Sequence, residues 1–260
     1  MKAGFLQFCP VFGAKQHNLA RIKTLLHGTL ADLVVLPELC STGYLFSDWD
    51  ELEGFAEGLD GPTTMFMVSL AREMNCAFAY GFAEAWGSTI YNSVALVSPE
   101  GVIGVYRKVH LFMDEKSLFT AGNEGFRVLT HAGVAYGMLI CFDWIFPEAA
   151  RTLALKGAQV ILHPANLVLP HCPGAMVTRA IENRVFIITA NRTGAEERAG
   201  KECRFIGQSQ VIAPDGKVLV RAQEDECVKI VDINPAQAND KNITPSNNLF
   251  EDRKPGLYGC

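Results

Sequence analysis

The sequence predicts an α/β fold arranged as a two-sheet αββα sandwich, with two sheets packed face to face and helices on each outer side. Three observations carry that expectation. Short apolar runs alternate with amphipathic stretches along all 260 residues, the pattern of strand and helix units in succession. Many of the strand-like runs are continuously apolar, as strands covered on both faces must be. One segment is also echoed: Ala31-Asp32-Leu33-Val34-Val35-Leu36-Pro37-Glu38 and Ala158-Gln159-Val160-Ile161-Leu162-His163-Pro164-Ala165 each follow a helical stretch and run to a proline. Two similar halves, each a sheet with helices on one face, satisfy all three.

The elements follow in order. Lys2–Phe8 reads as a strand, His17–Leu26 as a helix and Leu33–Leu36 as a buried parallel-type strand. Pro62–Met74 is helical, opened by a proline whose missing N–H costs nothing in a first turn. Strands are expected at Ala77–Phe82, Tyr91–Leu96 and Val102–Tyr106, with a tight turn at Pro99-Glu100-Gly101. The second half offers strand Val134–Ile140, helix Pro147–Lys156, strand Val160–His163, helix Gly174–Asn183 and strand Phe186–Ala190. Gln208–Ile212 and Val218–Val220 flank a second turn at Pro214-Asp215-Gly216, and Cys227–Asp232 is the last strand. No linker or composition shift interrupts the chain, so one domain over residues 1–260 is expected, with a tail from about residue 235.

Composition narrows the function. With 49% hydrophobic residues the chain can bury a sizeable core. The net charge is -5 and the longest basic run is Arg107-Lys108, which leaves no basic stripe for a polyanion and excludes nucleic acid as an expected partner. The apolar start is too short for a signal segment and is patterned as a strand. No apolar run reaches the length of about 18 residues that a membrane span needs, so a cytoplasmic protein is expected. The eight cysteines (Cys9, Cys40, Cys76, Cys141, Cys172, Cys203, Cys227 and Cys260) are scattered. They show no CxxC or Cys/His ligand spacing, so neither a disulfide framework nor a metal site is expected, and most should be small buried hydrophobes.

Three segments place ionisable residues directly after apolar strands, where ligands gather in α/β sheets. They are Pro37-Glu38-Leu39-Cys40-Ser41-Thr42-Gly43-Tyr44, Tyr106-Arg107-Lys108-Val109-His110-Leu111-Phe112 and Ile140-Cys141-Phe142-Asp143-Trp144. Each has a structural explanation taken alone: a cap, a surface lysine, a buried thiol. Together they meet a chemical need, because a thiol is a useful nucleophile only beside a base or a positive charge. Glu38 supplies a base, and Lys108 supplies positive charge for the thiol and a developing oxyanion. His110 and His163 leave a cysteine–histidine scheme open beside it. Asp143 is expected to fix the turn after the cysteine through backbone N–H groups. Glu148 and Arg151, three apart on one helix, are placed to pair locally or across an interface. Tyr44, Phe112, Trp144, Asn166 and Leu167 are the candidate substrate contacts: aromatic walls and one amide, suited to a small, weakly polar acyl group.

On these three motifs the chain resembles the nitrilase superfamily of carbon–nitrogen hydrolases, from its first strand through Asn191. The resemblance implies a nitrilase-like αββα sandwich, a homodimer that extends it, and a tail at the interface. It implies Glu38 as general base, Lys108 as oxyanion stabiliser and Cys141 as nucleophile. Glu115, in Asp114-Glu115-Lys116, matches a second glutamate that orients the lysine and substrate, and the Phe142 backbone N–H matches the other oxyanion donor. Many members carry tyrosine where this chain has Phe142, which leaves that side chain no polar role. The expected reaction is hydrolysis of a small amide or nitrile to carboxylate and ammonia through a cysteine thioester or thioimidate, without cofactor or metal. Hydrolysis of N-carbamoyl compounds and a non-catalytic dimeric binding or scaffold role are the alternatives.

Overall fold

Along the first strand and the residue after it, Ala3 and Phe5 face one layer while Leu6 and Phe8 face another, and all four are shielded from solvent. The structure, a computed structural model describing residues 1–258, repeats that two-sided burial in its central strands, Leu33–Val35, Val160–Ala165 and Phe186–Asn191 among them. The first half runs β1 (Lys2–Gln7), α1 (Lys15–Leu26), β2 (Leu33–Val35), α2 (Trp49–Phe55), α3 (Pro62–Met74), β3 (Ala77–Trp86), β4 (Thr89–Ser98) and β5 (Gly101–Arg107). A short helix, α4 (Glu115–Leu118), leads to β6 (Val128–His131) and β7 (Val134–Met138). Then come a 3-10 turn at Cys141–Ile145, α5 (Pro147–Leu155), β8 (Val160–Ala165), α6 (Cys172–Asn183) and β9 (Phe186–Asn191). The hairpin β10 (Ala195–Arg198) and β11 (Lys201–Arg204) precedes β12 (Gln210–Ile212), β13 (Val218–Arg221) and β14 (Cys227–Asp232).

Two six-stranded sheets result, ordered β14-β1-β2-β3-β4-β5 and β6-β7-β8-β9-β12-β13. Their pairings match step for step: antiparallel, parallel, parallel, antiparallel, antiparallel. The echoed segments are β2 and β8, equivalent central strands of the two halves. Leu33, Val35, Ala79 and Leu96 of the first sheet join Val160, Leu162 and Ile188 of the second in the core between the sheets. On the opposite face Val34, Phe78, Tyr80 and Val97 pack beneath Ile22 and Leu26 of α1 and Met67 and Leu70 of α3. α5 and α6 cover the second sheet through Leu153, Met176 and Ala180. This is the expected αββα sandwich.

Local chemistry sets the boundaries. Pro62 and Pro147 open α3 and α5 as expected, and Pro173 sits in the first turn of α6, which starts at Cys172 rather than at Gly174. The strand expected to run to Ile140 stops at Met138, because the Asp143 carboxylate takes the Ile140 N–H at 2.9 Å and turns the chain. α2 and the hairpin β10–β11 were not anticipated: Trp49–Phe55 is short and capped by Asp48, and Ala195–Arg204 is too charged to read as strand. Arg151 does not pair with Glu148; it donates to the Glu182 carbonyl at 2.7 Å and lies over Phe250. Leu257 and Tyr258 are exposed, and Cys260 lies outside the described residues. Among the described residues, no helix is long and apolar enough to cross a membrane.

Gly81 ties the fold to the site. A Cβ there would stand 2.5 Å from Glu38 Cα and 2.6 Å from Leu39 N. Glycine lets β3 lie directly against the segment that carries Glu38. Gly81→Ala is expected to cost about 1–3 kcal/mol, the scale of overpacking, in urea unfolding; an unchanged midpoint would contradict that close packing.

Candidate active site

Strand ends deliver the polar residues. Beyond β2, Leu36 N–H donates to Ala79 O at 2.7 Å, which keeps the chain against β3 until Pro37 and Glu38. At the end of β5, neighbouring side chains point opposite ways. Arg107 forms a bidentate pair with buried Glu84 (2.9 and 2.6 Å), and Lys108 turns inward. The Lys108 N–H is fixed on Asn92 O at 2.9 Å, and Glu115 begins α4.

Glu38, Lys108 and Glu115 meet in the interior, with 0%, 0% and 3% of their surfaces exposed. Lys108 Nζ donates to Glu38 Oε1 and to Glu115 Oε1, both at 2.8 Å. Asn92 Nδ2 donates to the same Glu38 Oε1 at 2.6 Å, and Tyr44 Oη to Glu115 Oε1 at 2.9 Å. Glu115 Oε2 accepts the Phe112 N–H at 3.1 Å. Glu38 Oε2 is buried and has no hydrogen-bond partner. Burial opposes charge on Lys108, but Glu115 and Glu38 outweigh it and hold the ammonium above the usual lysine range. Burial pushes the Glu115 carboxyl up, against the pull of Lys108.

Cys141 opens the 3-10 turn with φ of 42°, a left-handed conformation unusual outside glycine. Two devices hold it. Asp143 accepts Ile140 N–H, Tyr106 Oη–H at 2.8 Å and His110 Nδ1–H at 2.7 Å, the backbone-fixing role expected of it. His163 Nε2 lies 3.0 Å from the Cys141 carbonyl and its Nδ1 lies 3.1 Å from Thr189 Oγ1. Burial lowers the His163 pKa and keeps the ring neutral. Both imidazoles therefore serve the backbone around Cys141, and neither reproduces a cysteine–histidine pair.

The thiol differs from expectation in one respect. Burial raises the Cys141 pKa well above its ordinary value, and Glu38 adds to the rise. Lys108 and the Asn166 backbone N–H pull it down by less. Two carboxylates already compensate the one ammonium, so no positive charge is left over to hold a thiolate.

A small cavity of about 10 Å³, room for roughly one water, is lined by Cys141, Phe142, Trp144, Asn166, Leu167 and Phe112 among others. Four of the five candidate substrate contacts thus stand beside the thiol; Tyr44 instead lines a neighbouring chamber with its hydroxyl on Glu115. Both side-chain polar atoms of Asn166 are buried without partners. Sequence reasoning missed Asn92, whose only signal is a polar residue in the buried run of β4. It also missed the buried pair Arg192–Glu196, whose carboxylate accepts the N–H groups of Tyr44 and Leu45 at 3.0 and 2.8 Å and pins the loop after Glu38.

The family model for carbon–nitrogen hydrolases matches residues 2–241. The chain belongs to the carbon–nitrogen hydrolase family. It is 43% identical to a nitrilase from Pyrococcus abyssi over 263 aligned positions, covering 99% of each chain. Its fold matches a carbon–nitrogen hydrolase from Helicobacter pylori G27 with a TM-score of 0.91 at 25% identity, over 99% of this chain and 96% of that one. It matches a variant of the amidase from Nesterenkonia sp. AN1 with a TM-score of 0.82 at 25% identity, over 99% and 95% of the two chains. That structure shows the acetamide moiety of fluoroacetamide added covalently at the active-site cysteine.

This carbon–nitrogen hydrolase thus has the cysteine, lysine and glutamates of the motifs in one buried cluster, and acts on non-peptide carbon–nitrogen bonds. No group of three or more His, Cys, Asp or Glu among the described residues is arranged to hold a metal ion. The raised thiol pKa yields a direct expectation. The difference in thiolate absorbance near 240 nm between the hydrolase and its Cys141→Ala variant should be absent up to pH 9.0, the ordinary thiol value. A thiolate step at neutral pH would contradict the charge balance described.

Proposed function

We propose that the chain hydrolyses a small amide or nitrile with Cys141 as nucleophile, Glu38 as general base and acid, and Lys108 with the Phe142 N–H as oxyanion donors. The observation that carries this reading is the unequal state of the two Glu38 oxygens. Oε1 is occupied by Lys108 and Asn92, whereas buried Oε2 has no partner and can take a proton. Because the resting thiol is protonated, its proton leaves as sulfur attacks. The S–C bond forms, Glu38 takes the proton, and negative charge moves to the substrate oxygen beside Lys108. Glu38 returns the proton to nitrogen, the C–N bond breaks and ammonia departs, leaving a thioester. Glu38 next deprotonates water; the hydroxyl adds, the C–S bond breaks, and carboxylate is released as the thiol regains a proton. A nitrile enters through a thioimidate, which water converts to the same thioester with loss of ammonia.

Glu115 and Tyr44 act as positioning groups for Lys108, and the free amide of Asn166 is the group that meets the substrate's own polar atoms. The outer faces near α5 and α6 carry Ile145, Leu155 and Ile181, each 41–43% exposed, and form the surface for self-association. The C-terminal segment beside them belongs to the same interface. Light scattering is expected to give a dimer; a 28.4 kDa species at all working concentrations would overturn this.

Cys141→Ala is expected to abolish ammonia release without loss of folding, and a near wild-type rate would sink the nucleophile assignment. Lys108→Met should cost about 3–4 kcal/mol of transition-state stabilisation, the scale of losing an oxyanion donor, and Lys108→Arg should not rescue it because a planar fork does not fit a compact ammonium site. Glu38→Gln should slow acylation and deacylation together, as seen in single-turnover kinetics.

A further inference from the structure

Beside the small cavity at Cys141 lies a chamber of about 260 Å³, and Phe112 and Val168 line both. That volume is near the lower end of the range of about 300–1,000 Å³ typical of small-molecule sites. Its apolar wall comprises Leu45, Phe46, Phe112, Leu118, Phe119 and Val168. They come from the loop after Glu38, the segment leading through α4, and the loop after β8. β11 of the hairpin closes another side.

The polar groups of the chamber are already engaged. Tyr44 Oη donates to Glu115 at 2.9 Å, and Glu115 accepts from Lys108 at 2.8 Å. At the rim, Lys201 pairs with Asp114 at 2.7 Å and joins the hairpin to the segment before α4. Glu202 is 60% exposed and 3.9 Å from Arg204. A charged tail entering here would lose water and meet no free counter-charge. An apolar tail would replace water against aliphatic and aromatic walls, gaining about fourfold in affinity per buried methylene.

We propose that this chamber is the acyl subsite and that its occupant is the uncharged, apolar tail of the substrate, a medium-length aliphatic chain or a phenyl ring. The inference rests on the proposed reaction at Cys141 and adds the substrate class. The carbonyl carbon sits at the thiol in the small cavity. The tail passes between Phe112 and Val168, and the paired rim of Lys201 and Asp114 lies over its far end.

The test is kcat/KM of the full chain for acetamide, butyramide, hexanamide and phenylacetamide, beside 5-aminopentanamide and succinamate as charged-tail counterparts. The expected series rises about fourfold per methylene from acetamide to hexanamide, with both charged amides about tenfold or more below hexanamide. Leu118→Trp fills the chamber and should lower the hexanamide-to-acetamide ratio by about tenfold or more. A flat series, a preference for a charged tail, or an unchanged ratio in folded Leu118→Trp overturns the subsite. If that variant does not fold, the wild-type series decides. Acetamide turnover that Cys141→Ala removes, with no chain-length dependence, rejects the subsite and keeps the reaction; no turnover of any of these amides or of the corresponding nitriles rejects the reaction as well.

Discussion

The ammonium of Lys108 has no exposure to solvent and is held between Glu38 and Glu115 at 2.8 Å from each. A buried charge survives only when paired and hydrogen-bonded, and removing one partner of such a pair is far more costly than never having buried it. The arrangement of the cluster follows from that constraint. Burial holds the Cys141 thiol well above its ordinary pKa, and the neighbouring carboxylates add to that rise by more than Lys108 offsets. Asn92 and Lys108 both occupy one oxygen of Glu38 and leave the other without a partner. Tyr44 and the Phe112 N–H in turn keep Glu115 in place.

The repeated scaffold explains why these groups can be buried together. Glu38 follows β2 and Asn166 follows β8, the equivalent central parallel strands of the two halves, while Cys141 follows β7. Strand ends from both sheets therefore converge where backbone pairing stops and side chains are free to turn inward. The close approach of β3 at Gly81 and the pinning of the Tyr44 loop by Glu196 make that convergence rigid. Such second-layer support decides whether reacting groups stay within useful distance.

The outline of the fold was legible because its strands are apolar on both faces and its helices open at prolines. Glu38, Lys108 and Cys141 were legible for a related reason: each stands directly after an apolar run, where a polar side chain needs an explanation. Asn92 and the Arg192–Glu196 pair were not, since what gives them meaning is a partner distant in sequence. The early end of β7 was hidden in the same way, because the Asp143 side chain takes a backbone N–H that an apolar run alone would assign to the strand. The direction of the thiol shift is not legible in the sequence, because the motifs suggest Lys108 beside Cys141 but show neither the burial of the thiol nor the carboxylates that already pair with the lysine. The hairpin β10–β11 carries too many charged residues for a strand pattern, yet it forms part of the wall beside the cluster.

Urea unfolding of three proteins tests the central claim most directly: the wild type, Lys108→Met, and Lys108→Met combined with Glu115→Gln. If Lys108 is the charge that makes two buried carboxylates tolerable, Lys108→Met costs about 3–5 kcal/mol of stability. The second substitution then restores part of that loss, because it removes one of the stranded charges. A Lys108→Met protein as stable as wild type, or a double variant less stable than the single one, would contradict the account.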